Sequence, residues 1–125
     1  MKSCLENQNG YPVADALTER SVRLAARALA RAGLVHAYGH CSARIDDRYL
    51  LVCAAKPMGT IAAGEAGTIV PIIGTLPEGV LGEVRAHQAI YQRRPDVGAV
   101  CRIMPQQTML LSDDGNHVSI RDFRA

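Results

Sequence analysis

Tyr38-Gly39-His40-Cys41-Ser42-Ala43-Arg44-Ile45, Asp46-Asp47-Arg48 and Tyr49-Leu50-Leu51-Val52-Cys53 follow one another without a break. Two short runs of strand length flank a polar triplet, so Cys41 to Ile45 and Tyr49 to Cys53 read as a hairpin turning at Asp46-Asp47-Arg48. Upstream the period lengthens. Val22, Ala25, Leu29 and Ala32 recur at helical spacing from Asp15 onward, with Leu24 and Ala28 widening the stripe. Asp15 or Thr18 caps the start, and Gly33 suits the left-handed residue that ends a helix. Arg20, Arg23, Arg27 and Arg31 fall on the polar side, where they would serve an acidic partner or simply form a solvated face. Residues 1–14 carry Asn, Gln, Gly and Pro with little apolar content and read as a mobile leader; 15–125 read as one domain.

Downstream of the hairpin, 54–67 is rich in Ala and Gly and reads as a loop with a short helical turn. Thr68 to Ile73 is β-branched and apolar, a strand that Pro71 confines to an edge or to an early end. A second helix is expected from about Leu81 to Arg93, stopped by Pro95-Asp96, with Val84, His87 or Gln88, and Tyr91 on one side. Val97 to Met104 reads as a buried strand interrupted by Arg102. A short helix over Gln106 to Leu111, a turn at Asp113-Asp114-Gly115-Asn116 and a last strand over Val118 to Ile120 complete the chain. This order fits an α/β fold with a mainly antiparallel central sheet covered by helices.

Composition narrows the function. The chain has 125 residues, 48% hydrophobic and 21% charged, with a formal net charge of +2, which is an ordinary mixture for one core. Both signs of charge are spread along it and Trp is absent, which argues against a nucleic-acid surface of basic stripe and stacking rings. No apolar run reaches membrane-spanning length and no signal-peptide core opens the chain, so no membrane partner is expected and the cytoplasm is the expected compartment. The cysteines (Cys4, Cys41, Cys53, Cys101) form no CxxC pair and read as reduced, mostly buried thiols.

Chemistry has three places to sit. In Gly39-His40-Cys41-Ser42-Ala43-Arg44 the glycine permits close backbone approach to a ligand. His40, Ser42 and Arg44 offer a titratable group, a hydroxyl and a fixed cation for a carboxylate or phosphate. Polar residues of a solvent-facing connection would read the same way. Glu83 and His87 share a helix face four residues apart, as acid/base partners, as metal ligands, or as surface contacts at a helix start. Arg102 places a charge in an apolar strand, which is costly unless it is paired or lies at a site. Arginine cannot ligate a cation, so a site there would suit an anion; otherwise Arg102 snorkels to water or pairs with Glu83.

These segments, in this order, resemble the class II aldolase/adducin domain family. The matching residues are Ala30-Arg31-Ala32-Gly33-Leu34-Val35, then Gly39-His40-Cys41-Ser42-Ala43-Arg44, then Gly82-Glu83-Val84-Arg85-Ala86-His87-Gln88-Ala89-Ile90-Tyr91, and Arg94-Pro95-Asp96-Val97-Gly98-Ala99-Val100. The likeness covers roughly residues 18 to 112 and looks like the N-terminal part of a domain usually about twice this length. It implies an α/β/α sandwich with a mainly antiparallel central sheet and assembly into a homo-oligomer, often a tetramer, with sites between subunits. It implies carbon–carbon lyase or related epimerase chemistry at a divalent metal, usually zinc, which polarises a carbonyl.

The departures are as informative. Glu83 matches the family's acidic residue. The family's His-x-His pair falls on Arg102 and Met104, and its third histidine comes from a C-terminal part this chain lacks; His117 lies too early to match it. The sugar-phosphate enzymes have asparagine where this chain has His40, and their paired serines fall on Leu81 and Gly82. A histidine at His40 is closer to the decarboxylase-type relatives. The expectation is a lyase-like enzyme for a small oxo- or hydroxy-acid, performing aldol-type cleavage or decarboxylation with no metal or other cofactor. Glu83 and Arg102 are its candidate catalytic residues, and His40, Ser42, Arg44 and His87 would bind a small anionic substrate. The alternative is a non-catalytic structural or interaction domain, as in the adducin branch.

Overall fold

A computed structural model of the chain describes residues 10–113. Three layers stack in the order helix, sheet, helix. The sheet has four strands in the order β3-β2-β1-β4: β1 is His40–Arg44, β2 Tyr49–Val52, β3 Thr68–Pro71 and β4 Ala99–Arg102. Every pairing is antiparallel. Helix α1, Ala16–Arg31, covers one face together with a single 3₁₀ turn, Met58–Thr60; helix α2, Val84–Arg93, covers the other. A third helix, α3, Gln106–Asp113, follows β4.

Local chemistry explains the boundaries. Asp15, in an extended conformation, accepts the Thr18 amide through Oδ1 at 2.7 Å and so caps α1. The helix ends where Leu34 N–H bonds back to Leu29 O at 3.1 Å, with Gly33 at φ 72°, the geometry of a glycine-terminated helix. Asp46 Oδ1 accepts from the amides of Arg48 and Tyr49 at 2.7 and 2.9 Å, which folds the expected hairpin turn. Pro71 closes β3, an edge strand, opposite Tyr49, and the missing N–H costs no internal ladder bond.

Several details differ from the expected pattern. The buried stripe of α1 is Val22 and Ala26, flanked by Ala25, Leu29 and Ala30, while Leu24, Ala28 and Ala32 are exposed; the stripe runs one residue to the side of the expected one. Helix α2 starts at Val84 rather than Leu81, because 81–86 is wound by i→i+3 bonds: Val84 N to Leu81 O, Arg85 N to Gly82 O and Ala86 N to Glu83 O, at 3.0 to 3.2 Å. β4 is shorter than Val97 to Met104, since Val97 N–H turns back to Arg94 O and Met104 N–H bonds Leu34 O outside the ladder. Within the stretch read as a leader, residues 11–14 lie against the domain: the Tyr11 ring is 5.5 Å from that of Tyr49, and Ala14 packs on the first core. Residues 1–9, the turn after Asp113 and the strand expected at 118–120 lie outside the described residues.

Two apolar clusters hold the layers together. On the α1 side, Val22, Ala26, Val35, Cys41, Leu51, Cys53, Met58 and Ile61 are buried. On the α2 side, Leu50, Val52, Val70, Ile72, Val84 and Tyr91 are buried. Adjacent strand residues separate cleanly between them, Leu51 to the first cluster and Leu50 to the second, as the pleat requires. No described helix is long and apolar enough to cross a membrane.

Candidate functional site

The alternation that splits Leu50 from Leu51 also splits β1. Cys41 and Ala43 face α1, whereas His40, Ser42 and Arg44 face α2. His40 is the register partner of Arg102 in β4, so these two share the α2 face. Glu83 stands at the start of α2 with a helical backbone (φ −63°, ψ −20°) and no side-chain cap bond, which leaves its carboxylate available to the strands. Its Oε2 lies 3.2 Å from Arg102 Nη1 and 3.7 Å from His40 Nδ1. The sheet and the head of α2 thus gather Glu83, Arg102 and His40 at one end of the molecule.

Burial sets the charges. Glu83 and Arg102 are 43% and 39% exposed, so their pairing contributes about 1 kcal/mol or less and can exchange for another partner. His40 is 3% exposed. Burial lowers its pKa, Glu83 opposes the shift and Arg102 adds to it; the ring is neutral at pH 7 and its approach to Glu83 is no ion pair. His87, 1% exposed, is held to about 4 by burial, with His40 and Arg102 reinforcing the shift. The two imidazoles meet edge to face with centroids 6.3 Å apart.

Behind this pair runs a buried hydrogen-bond chain. Ser42 Oγ is 2.7 Å from His87 Nδ1 and 2.9 Å from Tyr91 OH. Burial raises the Tyr91 pKa, so the phenol keeps its proton. With Tyr91 donating to Ser42 and Ser42 donating to His87 Nδ1, the remaining imidazole proton sits on Nε2. His87 Nε2 and His40 Nδ1 are both buried without a hydrogen-bond partner, a costly condition that a bound polar group would relieve. A cavity of about 10 Å³ adjoins His40, Leu81 and Val84, room for about one water. An open depression of about 660 Å³, lined by Leu24, Arg27, Arg31 and Gly59, lies over the α1 side of the sheet and contains none of these groups.

Arg44 does not join the group. Its Nε donates to Val97 O at 2.9 Å, its Nη2 donates to Tyr91 O and Arg94 O at 2.9 and 3.1 Å, and its guanidinium lies 4.8 Å from the Tyr91 ring centroid. It fastens the C-terminal end of α2 to the sheet, and these backbone acceptors take up its Nε and Nη2 donors. Gly39 likewise serves packing: at φ 144°, a Cβ there would lie 2.7 Å from Val35 Cγ1 and 3.0 Å from Arg102 O. The close approach is to the protein's own backbone beside Arg102. Tyr91 is a member of the polar chain that the sequence reading places only on a buried helix side; its position four residues after His87 on one helix face is the signal that could have found it.

Among the described residues, no three His, Cys, Asp or Glu side chains gather so as to hold a metal. Arg102 occupies the strand face beside Glu83 and competes for its carboxylate.

Comparison with known proteins agrees with this architecture. The chain is similar over 80% of its length, with a TM-score of 0.65 and 25% identity, to the L-fuculose-1-phosphate aldolase from Thermus thermophilus. It is similar over 89% of its length, with a TM-score of 0.66 and 20% identity, to the L-fuculose 1-phosphate aldolase from Glaciozyma antarctica, a likeness of fold. It covers 50% and 52% of those chains and so spans about half their length. No curated protein sequence matches it. The family model of the class II aldolase and adducin N-terminal domain matches residues 20–121, and the chain belongs to that family.

Proposed function

We propose that the chain is a lyase-type domain for a small oxo- or hydroxy-acid, with Arg102 taking the anion-stabilising place on the strand face and no metal required. The observation that carries this reading is the half-exposed Arg102–Glu83 pair beside the buried, neutral His40. A substrate carboxylate or developing enolate oxygen would displace Glu83 from the guanidinium, which stabilises an oxyanion by charge-assisted hydrogen bonds. Glu83, released next to the reacting centre, would take the proton from the substrate hydroxyl in an aldol-type cleavage, the electrons of the broken carbon–carbon bond resting on the oxygen held by Arg102. In a decarboxylation carbon dioxide would leave, the electrons of the broken bond would rest on the same oxygen, and Glu83, having taken up a proton from solvent, would pass it to the enolate carbon. His40 Nδ1 and His87 Nε2 would orient the ligand, with Ser42 and Tyr91 holding His87 in place. Assembly into a homo-oligomer belongs to the same proposal and is supported by the exposure of Ile103, Met109 and Leu110 beyond β4.

Oxalate, a planar dianion shaped like the enolate of a small oxo-acid, is the probe. Its binding by calorimetry is expected to weaken roughly tenfold or more in Arg102→Ala, the loss of one charge-assisted contact. Glu83→Gln is expected to keep oxalate binding and to lose any carbon–carbon cleavage of a 4-hydroxy-2-oxo acid. Equal binding by the native protein and Arg102→Ala would remove the proposal.

A second reading, a non-catalytic interaction domain, is favoured by one feature: the cavity beside His40 has room for only about one water, too little for a substrate unless the site opens or a neighbouring chain completes it. Absence of oxalate binding at millimolar concentration, with the fold intact, is the result this reading expects.

A further inference from the structure

The α1 face of the sheet carries a row of thiols that the proposed chemistry does not use. Cys101 in β4 is the register partner of Cys41 in β1, and Cys53, just past β2, donates its N–H to Cys41 O at 3.0 Å. Three cysteines from three neighbouring segments thus lie side by side across the ladder. All three are free thiols, Cys41 and Cys53 buried and Cys101 exposed.

The two neighbours of Cys41 are not equivalent. Arg44 N–H donates to Gly98 O at 2.8 Å, which makes that pair, and each pair two residues along, a hydrogen-bonded one. Cys41 and Cys101 fall between, at a non-hydrogen-bonded position, where opposed Cα atoms approach to about 4.5 Å and side chains are closest. That separation lies within the range a disulfide spans. Cys41 and Cys53 form the hydrogen-bonded, wider kind of pair. Access points the same way, because α1 covers Cys41, whose Sγ lies 3.4 Å from Val22 O, and leaves Cys101 open to solvent.

We propose that Cys101 and Cys41 form a reversible disulfide on exposure to a peroxide, with Cys101 as the thiol that meets the oxidant and Cys41 as the one that resolves it. The Cys101 thiolate attacks one peroxide oxygen, the O–O bond breaks, and hydroxide leaves as water after taking up a proton; the sulfur is now a sulfenic acid. The Cys41 sulfur then attacks the Cys101 sulfur, the S–S bond forms, the S–O bond breaks, and the hydroxide departs with the Cys41 proton as a second water. Each sulfur is oxidised by one electron and the peroxide is reduced by two. The neighbouring Cys53 thiol and burial hold Cys41 in the thiol form, which suits it to the second step rather than the first. The product would tie edge strand β4 to β1 one residue from the His40–Arg102 pair.

Each of the four cysteines lies on a different tryptic peptide, so the linkage can be read directly. Native protein treated with hydrogen peroxide is expected to lose the mass of two hydrogens, to remain a single chain on a non-reducing gel, and to yield peptide 32–44 joined to 94–102; dithiothreitol is expected to reverse the mass loss and the linkage. Cys101→Ser, a change at an exposed position, is expected to abolish the linkage, and Cys53→Ala to preserve it. A Cys41–Cys53 link, a link through Cys4 or between chains, Cys101 driven only to sulfinic or sulfonic acid, or thiols left unchanged would each overturn the proposal.

Discussion

The two faces of the sheet are built from the same strands and do opposite things. Toward α1, β1 and β2 present Cys41, Ala43, Leu51 and Cys53, and the layer between is apolar. Toward α2, the same strands present His40, Ser42 and Arg44 beside Leu50 and Val52, and the helix answers with His87 and Tyr91. One face is held by packing and the other by packing around a buried polar chain. A site belongs on the face where hydrogen bonds already have to be satisfied, leaving the other to supply stability that tolerates few polar atoms.

The largest test of this division is at its seam. Leu50→Ala and Leu51→Ala are each expected to cost about 2–5 kcal/mol in urea unfolding. Because the two side chains enter separate clusters, the double variant is expected to lose nearly the sum, within about 0.5 kcal/mol; a shortfall well beyond that would mean the faces are one core.

Acid comes next. The folded-state pKa of His87 is depressed to about 4 and that of His40 is also lowered, so between about pH 4 and the unfolded value near 6.5 the unfolded chain binds the extra protons. The stability contributed by neutral burial is therefore complete above about pH 6.5 and falls as pH drops towards 4, by roughly 2–3 kcal/mol for His87. His87→Gln is expected to flatten most of this slope in unfolding measured against pH. A slope unchanged by the substitution would place the titration elsewhere.

The smallest effect sharpens the polar side. Ser42→Ala leaves Tyr91 OH and His87 Nδ1 without their shared partner and is expected to cost about 1–3 kcal/mol. Combined with His87→Gln it is expected to be clearly non-additive, in contrast to the leucine pair. Additive losses would mean that Ser42 and His87 do not act through one another.

Much of this is legible without the structure. The cap at Asp15, the stop at Gly33, the turn at Asp46 and the end of a strand at Pro71 all rest on interactions within a few residues, which sequence carries directly. The pairing of Arg102 with Glu83 is among the alternatives the residues themselves offer; adding His40 comes through family resemblance, because it depends on pairing a strand near residue 40 with one near 100, a non-local choice that no local pattern encodes. Arg44 reads as an anion ligand because its acceptors are main-chain oxygens of Tyr91, Arg94 and Val97, and carbonyls leave no signature in side-chain spacing. The late start of α2 escapes for a related reason: the i→i+3 bonds over 81–86 produce nearly the same periodicity as a helix.

The Arg44 contacts carry one mechanical consequence. They anchor the last turn of α2 to the sheet, and Gln88 and Gln92 add bonds from the helix to Pro71, Gly74 and Ile72, while the leading end has no side-chain cap. The leading turn is held differently, by the burial of Val84 and by the bond of His87 to Ser42, so Glu83 is presented to Arg102 from a helix pinned at both ends, by main-chain acceptors at one and by packing at the other.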